Sequence, residues 1–344
     1  MPNNEIDIII PAYNVNDDDL FHCLAAIASQ TMIDRIHVII IDDASTKRPN
    51  YEEICDLLLY LKHDLILLDQ NVGPGVARQI GLEKGVSDFI VFLDADDGLV
   101  QGSFEHLIKP MEENENVVMT CGLVKKNSDI DGGIQAFPID TLHGKMYRRA
   151  FLEKYNITFN KDYSYMHEDK AFNTICYLLA QLDGNEVEHI EEVVYIYNQH
   201  ENGLFRKNKN TTYFIESFIE NALYAQNKIL GLMGHNAPVD YNIISTMVQL
   251  YYYTMESFAE ESDEFDLWYE QSIRYYNTLF KNTALIVPPE MIRTIYNIKT
   301  QSLYETHEMP FMPRASFIDF ILSMRDGDED EDTRIIVDKM TYGA

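Results

Sequence analysis

The sequence predicts an α/β protein: a mostly parallel sheet flanked by helices, followed by an α-helical C-terminal domain. Three observations carry that reading. Short, continuously apolar runs alternate with helix-period stretches over the first hundred residues. Polar clusters recur where each apolar run stops. From about Lys207 the composition shifts toward Tyr, Asn and Met, and only helix-period stripes remain. Apolar runs of four or five residues suit strands covered on both faces, the usual condition of a parallel sheet.

Taken in order, Glu5-Ile6-Asp7-Ile8-Ile9-Ile10-Pro11 reads as a strand stopped by proline. Asp17-Asp18-Asp19 then supplies a cap and first turn for a helix with Leu20, Leu24 and Ile27 on one face. His37-Val38-Ile39-Ile40-Ile41 is a second buried strand. A second helix follows, with Ile54, Leu57, Leu58 and Leu61 at i, i+3, i+4 and i+7. Leu65-Ile66-Leu67-Leu68 is a third strand, residues 76–84 a third helix, and Phe89-Ile90-Val91-Phe92-Leu93 a fourth strand.

Ligands of such sheets bind beyond the carboxyl ends of the strands. Here those ends carry Pro11-Ala12-Tyr13-Asn14, Asp42-Asp43, Asn71-Val72-Gly73 and Asp94-Ala95-Asp96-Asp97. In extended chain, residues two apart project to one side, so Asp94 and Asp96 can point together past the strand. Carboxylates so placed repel unless a cation lies between them, and hard divalent ions such as Mg²⁺ or Mn²⁺ take oxygen ligands. The bland alternative is a solvated acidic turn. Gly73-Pro74-Gly75-Val76-Ala77-Arg78 partly mimics a dinucleotide fingerprint, but Arg78 stands at the third glycine and the turn follows the wrong strand. An arginine at a helix start suits a phosphate or a base carbonyl better than tight helix–sheet packing.

Composition narrows the field. The chain has 344 residues, 46% hydrophobic, with 56 acids against 27 Lys plus Arg and a formal charge of −29. Six of the acids lie in the run at 326–332, and without them the balance is still about −23. Such a charge disfavours a nucleic-acid partner, whose affinity comes mostly from cation–phosphate contacts. Cys23, Cys55, Cys121 and Cys176 are far apart with no Cys-x-x-Cys pair, which predicts reduced thiols. The first residues enter a strand without a basic, apolar leader, and no apolar run reaches the roughly 18 residues a membrane span needs. A soluble, cytoplasmic protein is expected.

The four rim motifs, in this order at strand ends, resemble the family 2 glycosyltransferases of the GT-A fold. The resemblance runs from about Ile6 to His200. It implies an inverting transfer from a nucleotide sugar, usually a UDP-sugar, to an acceptor hydroxyl, with Mn²⁺ or Mg²⁺. By motif it places Pro11, Tyr13, Asn14, Asn71, Gly73 and Ala95 around the donor. Asp43, with Asp42 beside it, resembles the acid that binds uracil, although Asp42 also reads as a turn or cap residue. Arg78 looks like the arginine near base and diphosphate, Asp94 the ribose-side acid and Asp96 the metal ligand. Asp97 could share the metal, because the double Asp leaves the register open. His200 matches a region that sometimes brings a histidine to the metal, though the usual neighbouring cation is absent until Arg206.

His143-Gly144-Lys145-Met146-Tyr147-Arg148-Arg149 resembles the segment leading to the family's acceptor site, and Tyr165-Met166-His167-Glu168-Asp169-Lys170 follows it. A carboxylate within reach of the acceptor hydroxyl can take its proton. The Glu168-Asp169 pair matches the family's Glu-Asp motif: Asp169 is expected as the base and Glu168 as an orienting group. The same pair suits the first turn of a helix at 170–182; both roles can hold.

The expected boundaries are a catalytic domain at 1–205, a helical domain at 206–325 and an acidic, mobile tail at 326–344. Stripes at Ile215, Phe218, Ile219 and Ala222, and at Ile244, Met247, Val248, Tyr251 and Met255, predict a packed helical core. An acceptor-binding or dimerising face is the alternative, so a homo-oligomer stays open. Further helices are expected at 268–280, 290–304 and 317–324. Two other functions compete: a nucleotidyltransferase with a similar Asp-x-Asp site, and a glycosyltransferase acting on modified DNA. The first usually carries a glycine-rich basic loop after its first strand, which Pro11-Ala12-Tyr13-Asn14 is not; the second meets the charge argument.

Overall fold

The computed structural model describes residues 5–59, 61–127, 133–135, 141–198, 212–259 and 264–280, with the single positions 297 and 317. The chain divides into two compact units, Met1–Lys207 and Asn208–Ala344.

The first unit is built on one sheet. Its strands are β1 (Ile6–Ala12), β2 (Ile36–Asp42), β3 (Lys62–Leu67), β4 (Phe89–Phe92), β5 (Gly98–Leu99), β6 (Val117–Asn127), β7 (Ile134–Gln135), β8 (Lys145–Arg148) and β9 (Glu186–Asn198). They lie in the order β3-β2-β1-β4-β8-β6-β9-β5, with β7 paired on β6. The half read from the sequence, β3-β2-β1-β4, is parallel throughout. Beyond it β8 runs antiparallel to both β4 and β6, while β6 and β9 are parallel.

The apolar runs of β1 and β2 are continuous because both faces are covered. Ile6, Ile8 and Ile10 join Leu20, Leu24 and Ile27 of α1 (Asp17–Ala28) in one core. On the opposite face α3 (Pro74–Lys84) comes so close that a Cβ at Gly81 would meet Ile9 and Ile41. Pro11 does not stop β1; it pairs with Ile41 and the strand ends at Ala12. It is tolerated because β4 has already ended opposite Ile9, so no ladder donor is lost on that side.

Two elements differ from the sequence reading. The third strand starts earlier, at Lys62, because it is an edge strand with one neighbour and its polar residues face water. The helix before it is correspondingly short: α2 (Tyr51–Cys55) passes into a 3₁₀ turn at Asp56–Leu58. Leu58 and Leu61 are buried as the stripe predicts. The remaining helices of this unit are α4 (Ser103–Glu113), α5 (Arg149–Lys154) and α6 (Glu168–Leu182).

The second unit contains α7 (Thr212–Met233), α8 (Ala237–Ala259) and α9 (Phe265–Tyr275), the last continuing into a π-turn at Tyr276–Phe280. Ile215, Phe218, Ile219, Ile244, Met247, Val248 and Tyr251 are buried, and Trp268 lies against Phe214, Phe218 and Tyr253. Ala222 and Met255, at the edges of the two stripes, are half-buried; the other seven positions form a packed core. The helices expected at 290–304 and 317–324, apart from two isolated positions, and the acidic run at 326–332 lie outside the described residues. No described helix is long and apolar enough to cross a membrane.

Candidate active site

The ends of β1, β2 and β4 meet at one rim because the register pairs Ala12 with Asp42 and Ile9 with Phe92. Tyr13, half exposed, leads into Asn14, whose left-handed φ of 51° turns its side chain back across the rim. Its Oδ1 accepts N–H bonds from Thr46 and Lys47 at 2.9 and 3.0 Å, and the Asn14 N–H donates to Ser45 Oγ at 2.8 Å. Asn14 thus ties the first loop to the second.

The two acids of the second loop have different surroundings. Asp42 is fully buried and accepts from the Ser45 N–H at 2.9 Å and the Tyr51 hydroxyl at 2.8 Å. It organises its own turn. Asp43 accepts from the Val72 and Gly73 N–H groups at 2.7 and 2.9 Å, fixing the loop after β3. Burial pushes the Asp43 carboxyl above its ordinary range; these two N–H groups pull the other way, and Asp42 adds to the rise. Each Asp43 oxygen retains a second lone pair.

Residues 71–78 are locked to residues 164–168. Gly75 N–H donates to Ser164 O at 2.8 Å, the Tyr165 hydroxyl to Asn71 O at 3.1 Å, and Ser164 Oγ–H to Val72 O. Asn71 Nδ2 donates to Asp43 O at 3.1 Å. Gly73 has φ +85°, and a Cβ there would stand 2.6 Å from Ser164 Oγ. A Cβ at Gly75 would stand 2.7 Å from Glu168 Cγ. The two glycines permit this close approach, which explains their spacing without a dinucleotide.

Arg78 closes the lock. Its guanidinium donates to Glu168 Oε1 and to Asp94 Oδ1, both at 2.7 Å, from a position nearly out of solvent. Burial alone would weaken its charge, but Asp94 and Glu168 hold it firmly protonated. Asp94 is held well below the carboxylate range: Arg78 and His143 outweigh the effect of burial. Burial, reinforced by Asp169, pushes the Glu168 carboxyl upward against the pull of Arg78.

Asp97 is buried; its Oδ2 accepts the Tyr195 hydroxyl at 2.6 Å and its Oδ1 the Asn198 N–H at 2.8 Å. Burial, then Asp94 and Asp96, push its carboxyl well up. Ala95 is buried between them. Ligand atoms of Asp94, Asp97 and His143 all lie within 4.8 Å of one another. That donor set, carboxylate oxygens and a ring nitrogen, fits a divalent cation. Asp96 is half-buried, its carbonyl accepting from Asn198 Nδ2 at 2.8 Å, and its carboxylate stands outside the convergent trio. His200 lies outside the described residues.

His143 was expected only as the first residue of the acceptor-side segment; the structure sets it beside Asp94. Forty-nine positions separate it from Asp94, and only the antiparallel return of β8 beside β4 brings that segment to the rim. The basic residues that follow it are structural. The Lys145 ammonium is fully buried on Thr141 O at 2.5 Å, and Arg148 reaches Val117 O at 2.9 Å. Arg149 pairs with the buried Asp7 at 2.7 Å.

α6 begins at Glu168, two residues earlier than the periodicity predicts, after His167 in a left-handed conformation with φ 61°. Both acids therefore occupy its first turn, where the helix dipole favours negative charge. Glu168 is turned inward to Arg78, whereas Asp169 is half-buried and accepts the Lys170 N–H at 2.7 Å.

The sequence model described as Glycosyl transferase family 2 matches residues 7–176. An uncharacterized glycosyltransferase of Haemophilus influenzae is 30% identical over 190 residues, 50% of this chain and 71% of that protein. The uncharacterized glycosyltransferase EpsJ of Bacillus subtilis is 27% identical over 225 residues, so this chain spans 62% of its length. The chain belongs to glycosyl transferase family 2. Among solved structures, S. aureus TarS in complex with UDP-GlcNAc superposes over 90% of this chain and 93% of that one, with a TM-score of 0.68 at 18% identity. The GT-A type of fold expected from the rim motifs is thus the fold observed.

Proposed function

We propose that this glycosyltransferase moves a sugar from a UDP-sugar to an acceptor hydroxyl with inversion, Asp169 taking the hydroxyl proton. The observation that carries the reading is the division of labour at the start of α6. Glu168 is buried on Arg78, while its neighbour Asp169 is half-buried at the helix start. Because residues 164–168 are bonded to residues 71–75, the loop that Asp43 fixes and the helix that carries the base form one continuous support.

On this reading Asp43 receives the uracil N3–H on a free lone pair, and Tyr13 offers an exposed ring beside it. Arg78 holds Asp94 and Glu168 in place from beneath. The carboxylates of the Asp94–Asp97 turn would hold a divalent cation, which would supply positive charge for the departing diphosphate. The UDP-GlcNAc bound by TarS supports the choice of nucleotide. The acceptor is read as a hydroxyl on a glycan or cell-surface polymer, because a net charge of −29 disfavours a polyanion. Free, buried thiols at Cys23, Cys121 and Cys176 support a reducing, cytoplasmic setting.

Calorimetry against UDP, CDP, GDP and ADP, with and without Mn²⁺, followed by turnover of UDP-sugars, tests the proposal. Preferential UDP binding with release of UDP from one sugar donor is expected. Equal binding of all four diphosphates would sink it.

A further inference from the structure

Asn173 stands inside α6, fully buried, where an amide side chain neither favours a helix nor gains from leaving water. Its partners account for it. Asn173 Nδ2 donates to Thr141 O at 2.6 Å, and Oδ1 accepts the Tyr147 hydroxyl at 2.6 Å. A carbonyl only accepts, so the amide has one orientation and the Tyr147 hydroxyl is the donor. Burial pushes that hydroxyl well up, which keeps its proton in place. Thr141 O also takes the buried Lys145 ammonium at 2.5 Å. Two buried donors thus converge on one carbonyl at the start of residues 141–144. The far end of this segment is held as well, by the Gly122 N–H donating to Gly144 O at 2.8 Å. Between the two anchors lies His143, with Nε2 3.4 Å from Asp94 Oδ2.

Asp169 and Asn173 are four apart on α6 and share one face of it. The helix that presents Asp169 is thereby bonded, one turn further along, to the segment that reaches Asp94. We propose that Asn173 is a positioning residue for transfer: through Thr141 O it fixes Asp169 relative to the donor-side acid Asp94. The inference rests on the assignment of Asp169 as base and adds what keeps that base in register with the donor. Arg78 already joins Asp94 to Glu168 at the first turn of α6. A helix bonded at one point can still tilt about it, and a second bond one turn on removes that freedom. The precision matters, because a displacement of about 1 Å at a reacting group costs on the order of 10²-fold in rate. Tyr147 orients the amide; the bond from Asn173 Nδ2 is the one that reaches the segment.

The test uses the full-length protein, single-turnover release of UDP from UDP-GlcNAc or UDP-glucose, UDP affinity by calorimetry, and the unfolding midpoint. Asn173→Leu keeps the bulk and removes both hydrogen bonds. Turnover should fall by about 10–100-fold while UDP affinity stays within about threefold of wild type. Tyr147→Phe keeps the bond to Thr141 O, so it should destabilise the unit but cost far less turnover. Combining the two replaces both partners by apolar groups, which should restore much of the midpoint and none of the turnover. A merely structural Asn173 would recover both together. Added to Asp169→Asn, Asn173→Leu should lower the rate little further, since no base is left to position. Hydrogen exchange, which needs no turnover, should quicken at residues 141–144 and 168–170 in Asn173→Leu and stay unchanged in β1 and β2. Turnover that returns with the midpoint, losses that multiply in full with Asp169→Asn, or unchanged exchange at those residues overturns the proposal. A rate loss in Asp169→Asn with none in Asn173→Leu sinks this inference and leaves the base in place. No loss in Asp169→Asn sinks the base assignment, and this inference with it.

Discussion

Arg78 offers the sharpest test of how the site is held together. Arg78→Met keeps the aliphatic bulk and removes a guanidinium that bridges two carboxylates at 2.7 Å each. Breaking a buried ion pair by removing one partner costs roughly 3–5 kcal/mol, because the other charge is left in a poor solvent. The two partners do not count equally. The Glu168 side chain is only 6% exposed, but burial and Asp169 already push its carboxyl up to about 8, so without Arg78 it takes a proton instead of keeping a full charge; Asp94 is 31% exposed and has His143 beside it. Both contributions are therefore discounted, leaving an expected loss of about 2–3 kcal/mol. For a unit of this size that lowers its unfolding midpoint by roughly 4–12 °C in calorimetry. Adding Glu168→Gln removes the carboxyl left without its partner, so the double variant should recover part of the loss; this non-additivity is the signature of the pair. Arg78→Lys should fall between, since an ammonium lacks the planar fork that reaches both acids. A loss below about 1 kcal/mol, or a double variant no better than Arg78→Met, would refute the reasoning.

If Asp43 accepts uracil N3–H as proposed, Asp43→Asn exchanges that acceptor for a group that can also donate, so the preference for UDP over CDP should narrow by about tenfold in calorimetry; equal weakening of both would mean a purely structural role. Burial raises the Asp43 carboxyl, and the proposed contact with uracil needs it ionised. UDP affinity should therefore fall with decreasing pH sooner than an ordinary aspartate near 3.9 would dictate, and Asp43→Asn should flatten that profile. Gly75→Ala puts a Cβ 2.7 Å from Glu168 Cγ and 3.0 Å from Ser164 O; it should cost about 1–3 kcal/mol and reduce transfer more than UDP binding, measured on the same preparation. Asp96→Ala, outside the convergent trio, should leave the fold intact, and the size of its effect on Mn²⁺ affinity shows how far that carboxylate shares the ion.

The parallel half of the sheet was legible because β1, β2 and β4 are buried on both faces, and burial writes itself into sequence as unbroken Ile, Val and Phe. β3 was displaced because an edge strand needs no such run, so Lys62, His63 and Asp64 concealed its start. The apolar stretch Val117-Val118-Met119-Thr120-Cys121 was an available signal for β6 that the motif-led reading did not use. Motif order brought Asp43, Arg78, Asp94 and Glu168 to attention, but their partnerships join residues 16 to 90 apart. Only the family's Glu-Asp motif separated Glu168 from Asp169; their spacing and residue type did not. Adjacent acids in a helix's first turn look alike until one of them meets a buried arginine. The place of His143 beside Asp94 was hidden for the same reason, because the two lie 49 positions apart and meet only through the return of β8 beside β4.

The central claim, that Asp169 takes the acceptor proton while Glu168 positions, is met most directly by single-turnover transfer rates and UDP affinities for Asp169→Asn and Glu168→Gln. Asp169→Asn keeps size and hydrogen-bonding shape but removes proton affinity. UDP should bind as in wild type while transfer falls by about 10²–10⁴-fold, the usual contribution of a general base. Glu168→Gln keeps an acceptor for Arg78 and should lose less. Transfer near the wild-type rate in Asp169→Asn, or a larger loss in Glu168→Gln, would contradict the assignment.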